Sequence, residues 1–227
     1  MTTIRFIFLF LSIALYSCGQ KSVKHKINPE VVRLNNKIIP LVPFTDNPDS
    51  CRKALLFLDS ATSIDGNDFL AYNNKLMFLF GLKQYDKAIK TVDEMLRLRP
   101  NAHDLYTMKG SFYERIGDTV SSKKCFQKSL AICDKVLDTM MKTNRDYMMF
   151  VIDKSVNMIM LGDSAKANII LQTLYDNQPE DSVFDNPEDS VFDNADKKFI
   201  LSFMHKSKAA LLQPKPDTTE SVSYPEK

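Results

Sequence analysis

Tryptophan is absent from the 227 residues and glycine occurs only six times. No stretch alternates apolar and polar residues over a convincing length, which argues against a sheet-built fold. No glycine-rich phosphate loop, Cys-x-x-Cys pair or Gly-x-Ser-x-Gly elbow occurs, so the motifs that would announce nucleotide, metal or hydrolase chemistry are missing. The three histidines, His25, His103 and His205, are too scattered to suggest a ligand set. An excess of one charge is lacking too, since 30 basic residues face 28 acidic ones. Such a balance implies no steering toward nucleic acid. The carboxylates have no motif to fix them and read as solvated faces. The expectation is a protein with no catalytic residues, no metal, no cofactor and no small-molecule substrate.

Cysteine is sparse as well. Of the four, Cys18 lies at the end of the N-terminal apolar run, and the three that remain are an odd count, which argues against a full disulfide framework. Cys125 and Cys133 fall on one predicted helix about 12 Å apart along its axis, too far to bond each other. Read as small buried hydrophobes, they need no further role. The chain also lacks a run long enough to span a bilayer: the apolar stretch Phe6–Leu15 is well short of the roughly 20 residues a transmembrane helix needs.

What is present begins with "MTTIRFIFLFLSIALYSCGQ", one early charge followed by that short apolar run, the pattern of a secretory leader. Its ending, Leu15-Tyr16-Ser17-Cys18, resembles the bacterial lipobox. The resemblance implies that residues 1–17 are removed, that Cys18 becomes an acylated N-terminus, and that residues 18–28 form a tether. Several acyl chains would hold the protein on a membrane without help from the polypeptide, since each buried CH₂ contributes about 0.8 kcal/mol. The residues after Cys18, "GQKSVKHK", lack the Asp that signals inner-membrane retention in enterobacterial lipoproteins and the acidic run that resembles a surface-export tag. The implied address is the outer membrane of a bacterial envelope, facing the periplasm.

Between Pro29 and Gln213 helical spacing appears almost everywhere, and it recurs with a period. "CRKALLFLDSATSIDGN" from Cys51 aligns with "YDKAIKTVDEMLRLRPN" from Tyr85, with Lys53 on Lys87, Ala54 on Ala88, Asp59 on Asp93 and Asn67 on Asn101. A further step of 34 residues carries Ala88 to Ser122. In "LYTMKGSFYERIGDTVSSKKCFQKSLAI" Tyr106, Gly110, Tyr113, Gly117 and Phe126 stand at places that resemble the tetratricopeptide repeat, with Ser122 and Ser129 replacing two alanines. After an insertion of about eleven residues, Gly162, Ala167, Leu171 and Pro179 return in register.

The spacing has a physical reading of its own. Gly110 and the small residues Ala54, Ala88, Ser122 and Ala167 let antiparallel helices approach closely. Gly117-Asp118 and Gly162-Asp163 make the turns between paired helices. Pro100 and Pro179 stop second helices. Asn28-Pro29 and Asn47-Pro48 start two helices of a shortened first hairpin, with Pro40 and Pro43 in its connection. The stretch "ADKKFILSFMHKSKAALLQ" is an amphipathic cap. The expected fold is all-α: a right-handed solenoid of three to four stacked antiparallel helix pairs plus a capping helix over 29–213, with an unfolded tail over 214–227.

In tetratricopeptide proteins the first helix of each pair lines a concave groove that binds a protein or peptide partner. By resemblance the lining positions are Asn73, Met77 and Phe80, then Thr107, Ser111 and Glu114, then Ile152, Val156 and Ile159. No lysine stands among them to clamp a peptide carboxylate. The implied function is a lipid-anchored, non-catalytic interaction scaffold or adaptor; an immunity or inhibitor protein with one toxin-like partner is the alternative. Finally, "PEDSVFDN" is written twice without a difference from Pro179 to Asn194. A period of eight does not match the 34-residue unit, and without a glycine turn it cannot form a calcium loop. It reads as an in-frame duplication lengthening one connection.

Overall fold

The structure is a computed structural model that describes residues 28–144, 146–177 and 193–212. Cys18 with its leader and tether, the duplicated octamer up to residue 192, and the tail from 214 lie outside the described residues. Every regular element described is helical, and no strand occurs among the described residues. The elements are α1 (Pro29–Asn36), a 3-10 helix (Ile39–Phe44), α2 (Pro48–Ile64), α3 (Phe69–Gly81), α4 (Tyr85–Leu98), α5 (His103–Ile116), α6 (Thr119–Leu137), α7 (Tyr147–Met160), α8 (Ser164–Asp176), α9 (Asp193–Leu201) and α10 (Lys208–Leu212). They sort into two compact units, one running to Thr91 and one covering Val92–Leu212, with the boundary inside α4.

In the N-terminal unit both Asn-Pro starts form as predicted. Asn28 Oδ1 accepts the Glu30 amide at 2.9 Å, and Asn47 Oδ1 accepts those of Asp49 and Ser50 at 2.9 and 3.0 Å. Each proline sits where the helix has no amide to satisfy. Pro40 and Pro43 lie in the 3-10 helix of the connection. The core of this unit joins Ile38, Cys51, Ala54, Leu58 and Phe78, with a second cluster of Val31, Leu34, Ala61 and Ala71 bridged by Phe57. A polar contact ties the start of the hairpin to α3: Asn35 Nδ2 donates to Asp68 Oδ2 at 3.0 Å, and Asn74 Nδ2 donates to Asn35 Oδ1 at 3.1 Å.

The C-terminal unit packs α5 on α6, α6 on α7, α7 on α8 and α8 on α9. Gly110 is required by packing: a Cβ there would lie 2.8 Å from Phe126 Cε1, so the bare backbone of α5 receives the Phe126 ring of α6. Gly117 and Gly162 turn the chain in the left-handed conformation, at φ 83° and 98°. The insertion is taken up by α6, at 19 residues the longest helix described, and by the 138–146 connection. A core cluster of Val151, Ile152, Leu171, Leu174, Ile200 and Met204 closes the C-terminal end.

The cap differs from expectation. It is two helices rather than one amphipathic run, because Ile200 and Met204 are both drawn into that cluster and the chain must then turn. His205 takes a left-handed φ of 58°, donates its amide to Asn168 Oδ1 at 2.8 Å, and Ser207 restarts the chain as α10 by accepting the Ala210 amide on its hydroxyl at 3.1 Å.

Candidate functional site

The nine positions assigned to the groove lie on α3, α5 and α7, the first helices of three successive pairs. On α3, within the N-terminal unit, Asn73 is 9% exposed. Met77 is half-buried against the cluster around Phe78. Phe80 is half-buried and meets Tyr85 edge-on at 6.1 Å between ring centroids.

On α5 and α7, within the C-terminal unit, the positions divide by chemistry. Ile152 and Ile159 are 1% and 0% exposed. Both side chains are packing residues, so their apolar surface is withdrawn from any partner. Val156 is partly buried against the same cluster as Ile152. Thr107 is consumed by a polar seam between α5, α6 and α7. Its hydroxyl donates to Asn157 Oδ1 at 3.0 Å and lies 2.8 Å from Ser129 Oγ. Ser129 donates to the His103 carbonyl oxygen at 2.8 Å, and Asn157 Nδ2 donates to Ser129 Oγ at 2.9 Å. Ser111 donates back to the Thr107 carbonyl at 3.1 Å.

Glu114 differs in carrying a charge into this setting. Its side chain is 9% exposed, accepts the Ser122 hydroxyl at 2.6 Å and pairs with Lys208 Nζ at 2.7 Å. Next to it Arg115 Nη1 donates to the Leu212 carbonyl at 2.6 Å. Two α5 residues thus hold the α10 segment, one by its side chain and one by its backbone.

Sequence reasoning missed His103, which it set aside as one of three scattered histidines. The fold brings its Nε2 to 2.8 Å from Asp153 Oδ2, a residue 50 positions on, and lays its ring on Phe150 with centroids 4.3 Å apart. Burial pushes the imidazole pKa down, but the hydrogen bond and charge of Asp153 outweigh it and leave it above the ordinary value. Burial raises the carboxyl of neighbouring Asp104. The available signal was the pair of serines at alanine places, Ser122 and Ser129, each of which proves to be a polar contact between helices.

The hydroxyls of Thr107, Ser111 and Ser129 are engaged by amide and carbonyl oxygens of the helices themselves. The thiols of Cys51, Cys125 and Cys133 are free and are pushed up by burial, which keeps them protonated and unreactive. No group of three or more metal-ligating side chains gathers among the described residues. Among the same residues no helix is long and apolar enough to cross a membrane.

Comparison with curated proteins gives no match. Comparison with protein families gives two consecutive matches to the Tetratricopeptide repeat, at residues 70–102 and 103–135, which cover α3 with α4 and α5 with most of α6. Tetratricopeptide repeats are in general non-catalytic modules for protein–protein interaction. Residues 70–135 are thus similar to two consecutive tetratricopeptide repeats, and they fold as consecutive helix pairs.

Proposed function

We propose that the protein is a non-catalytic scaffold or adaptor of the bacterial cell envelope, tethered to the outer membrane through lipid on Cys18 and holding a protein or peptide partner on its helix pairs. The observation that carries the interaction role is the pair of consecutive tetratricopeptide-repeat matches over 70–135. The address rests on the lipobox-like Leu15-Tyr16-Ser17-Cys18 at the end of a short apolar run.

The test is Cys18→Ser in the native host. The wild type should incorporate labelled fatty acid and partition with membranes until detergent is added; the variant should incorporate none and be released or mislocalised. The interaction half is tested by capture from detergent-solubilised membranes, where a small set of envelope proteins should be retained by the wild type. Membrane association that survives Cys18→Ser, with no acylation of wild type, overturns the anchor. Absence of any specific partner overturns the scaffold.

A further inference from the structure

The last segment of the cap does more than end the fold. Ser207–Leu212 reaches back to α5, the helix that carries Thr107, Ser111 and Glu114. It meets Glu114 with an ammonium and Arg115 with a main-chain carbonyl. The two partners of the ion pair are unequal: the Glu114 side chain is 9% exposed and the Lys208 side chain 40%. A carboxylate that deep is costly to leave without a cation. Its position is fixed by α5 and by the Ser122 hydroxyl on α6. The cation comes from a five-residue helix at the end of the described chain. The acid is therefore the fixed half of the pair, and the lysine is the exchangeable half.

We propose that Glu114 and Arg115 form a peptide-binding site, occupied here in cis by Ser207–Leu212 as an internal ligand, and that its external ligand is a basic-apolar segment of a partner chain. The recognised pattern is a lysine followed four residues later by an apolar residue whose carbonyl faces Arg115, as in Lys208-Ala-Ala-Leu-Leu212. Glu114 reads the charge. Arg115 reads the backbone, which any peptide offers. Leu211 and Leu212, both half-buried, supply the apolar part. Ile200 and Met204 stay in the core when the segment leaves, since they belong to the cluster around Val151 and Leu171. The left-handed turn at His205 and the Ser207 cap mark where the exchangeable piece begins. This inference rests on the reading of the helix pairs as a partner-binding module.

The experiment uses the purified full chain and a fluorescein-labelled, C-terminally amidated peptide of sequence KSKAALLQ, followed by anisotropy. A segment held in cis competes at a high effective concentration, so the wild type should bind the peptide weakly. Lys208→Glu sets like charge against Glu114, frees the site, and should tighten peptide binding by about tenfold or more. Adding Glu114→Gln to that variant should return binding to the wild-type level. A peptide with alanine for its second lysine should fail against every variant, which keeps the test decisive if Glu114→Gln disturbs folding. Equal binding by wild type and Lys208→Glu, including no binding by either, overturns the proposal, as does undiminished binding of the alanine peptide. Such a result would leave envelope-partner capture, a separate measurement, unaffected.

Discussion

At the scale of single residues, the repeat explains an oddity at Lys83. It stands 34 residues before Gly117, at the same turn of the preceding pair, and takes the same left-handed conformation with φ 55°. A side chain there crowds its own carbonyl, at a cost of roughly 1–2 kcal/mol. Lys83→Gly should therefore stabilise the protein by about 0.5–1 kcal/mol, less than the full relief because glycine also loosens the unfolded chain. Denaturant unfolding reads this as a higher midpoint with an unchanged slope. The groove positions separate by the same measurement. Ile159 is fully buried, so Ile159→Ser removes packing and buries a hydroxyl, and should cost about 3 kcal/mol or more. Phe80 is only half-buried, and Phe80→Ser should cost distinctly less. Equal losses would make Phe80 a core residue of its own unit.

At the scale of elements, successive helices are fastened by recurring contacts, part of which the sequence displayed. Asp59 and Asp93, aligned by the 34-residue offset, pair with Lys75 at 2.6 Å and Lys109 at 2.5 Å, each bridging the second helix of one pair to the first of the next. Asp134 and Lys154 repeat the bridge at 2.7 Å beyond the insertion, where the spacing is longer. The helix starts at Pro29 and Pro48 and the turns at Gly117 and Gly162 were legible because they depend on local chemistry that a one-dimensional string carries. The His103–Asp153 contact was not, since it depends on how α5 and α7 lie across α6. Nor was the burial of Ile152, because a family position says which way a side chain faces and not that Leu171, Leu174, Ile200 and Met204 will join it in one cluster. The His103–Asp153 contact should make stability depend on pH. A histidine whose folded pKa is raised stabilises the fold fully below its unfolded value of about 6.5 and ceases to do so as pH rises through the folded value. The raised Asp104 acts in the same direction at lower pH, its penalty growing above the unfolded carboxyl range. The thermal midpoint should therefore decline above pH 6.5, and His103→Asn should remove that decline while lowering the acid-side plateau. A wild-type midpoint that stays flat between pH 6 and 9 would show that Asp153 holds the ring without charge.

At the scale of the whole molecule, the question is how much of the chain the helix stack needs. The two copies of PEDSVFDN stand between α8 and the body of α9, whose first two residues, Asp193 and Asn194, close the second copy. Deleting Pro187–Asn194 leaves Asp185 and Asn186 directly ahead of Ala195, so the start of α9 keeps its sequence. What changes is the length of the connection by eight residues. Chain-closure entropy varies only with the logarithm of length, so the change in stability should be well under about 1 kcal/mol, which for a domain of this size moves the melting midpoint by only a few degrees. The deletion should also leave the response to calcium unchanged, since neither copy offers the glycine turn and alternating oxygens that such a site requires. Circular dichroism on the wild type and the deletion, with and without calcium, reads both expectations. Loss of helical signal in the deletion would show that the second copy is an integral part of the stack, and a calcium-dependent rise in the midpoint of the wild type alone would make the duplication a site.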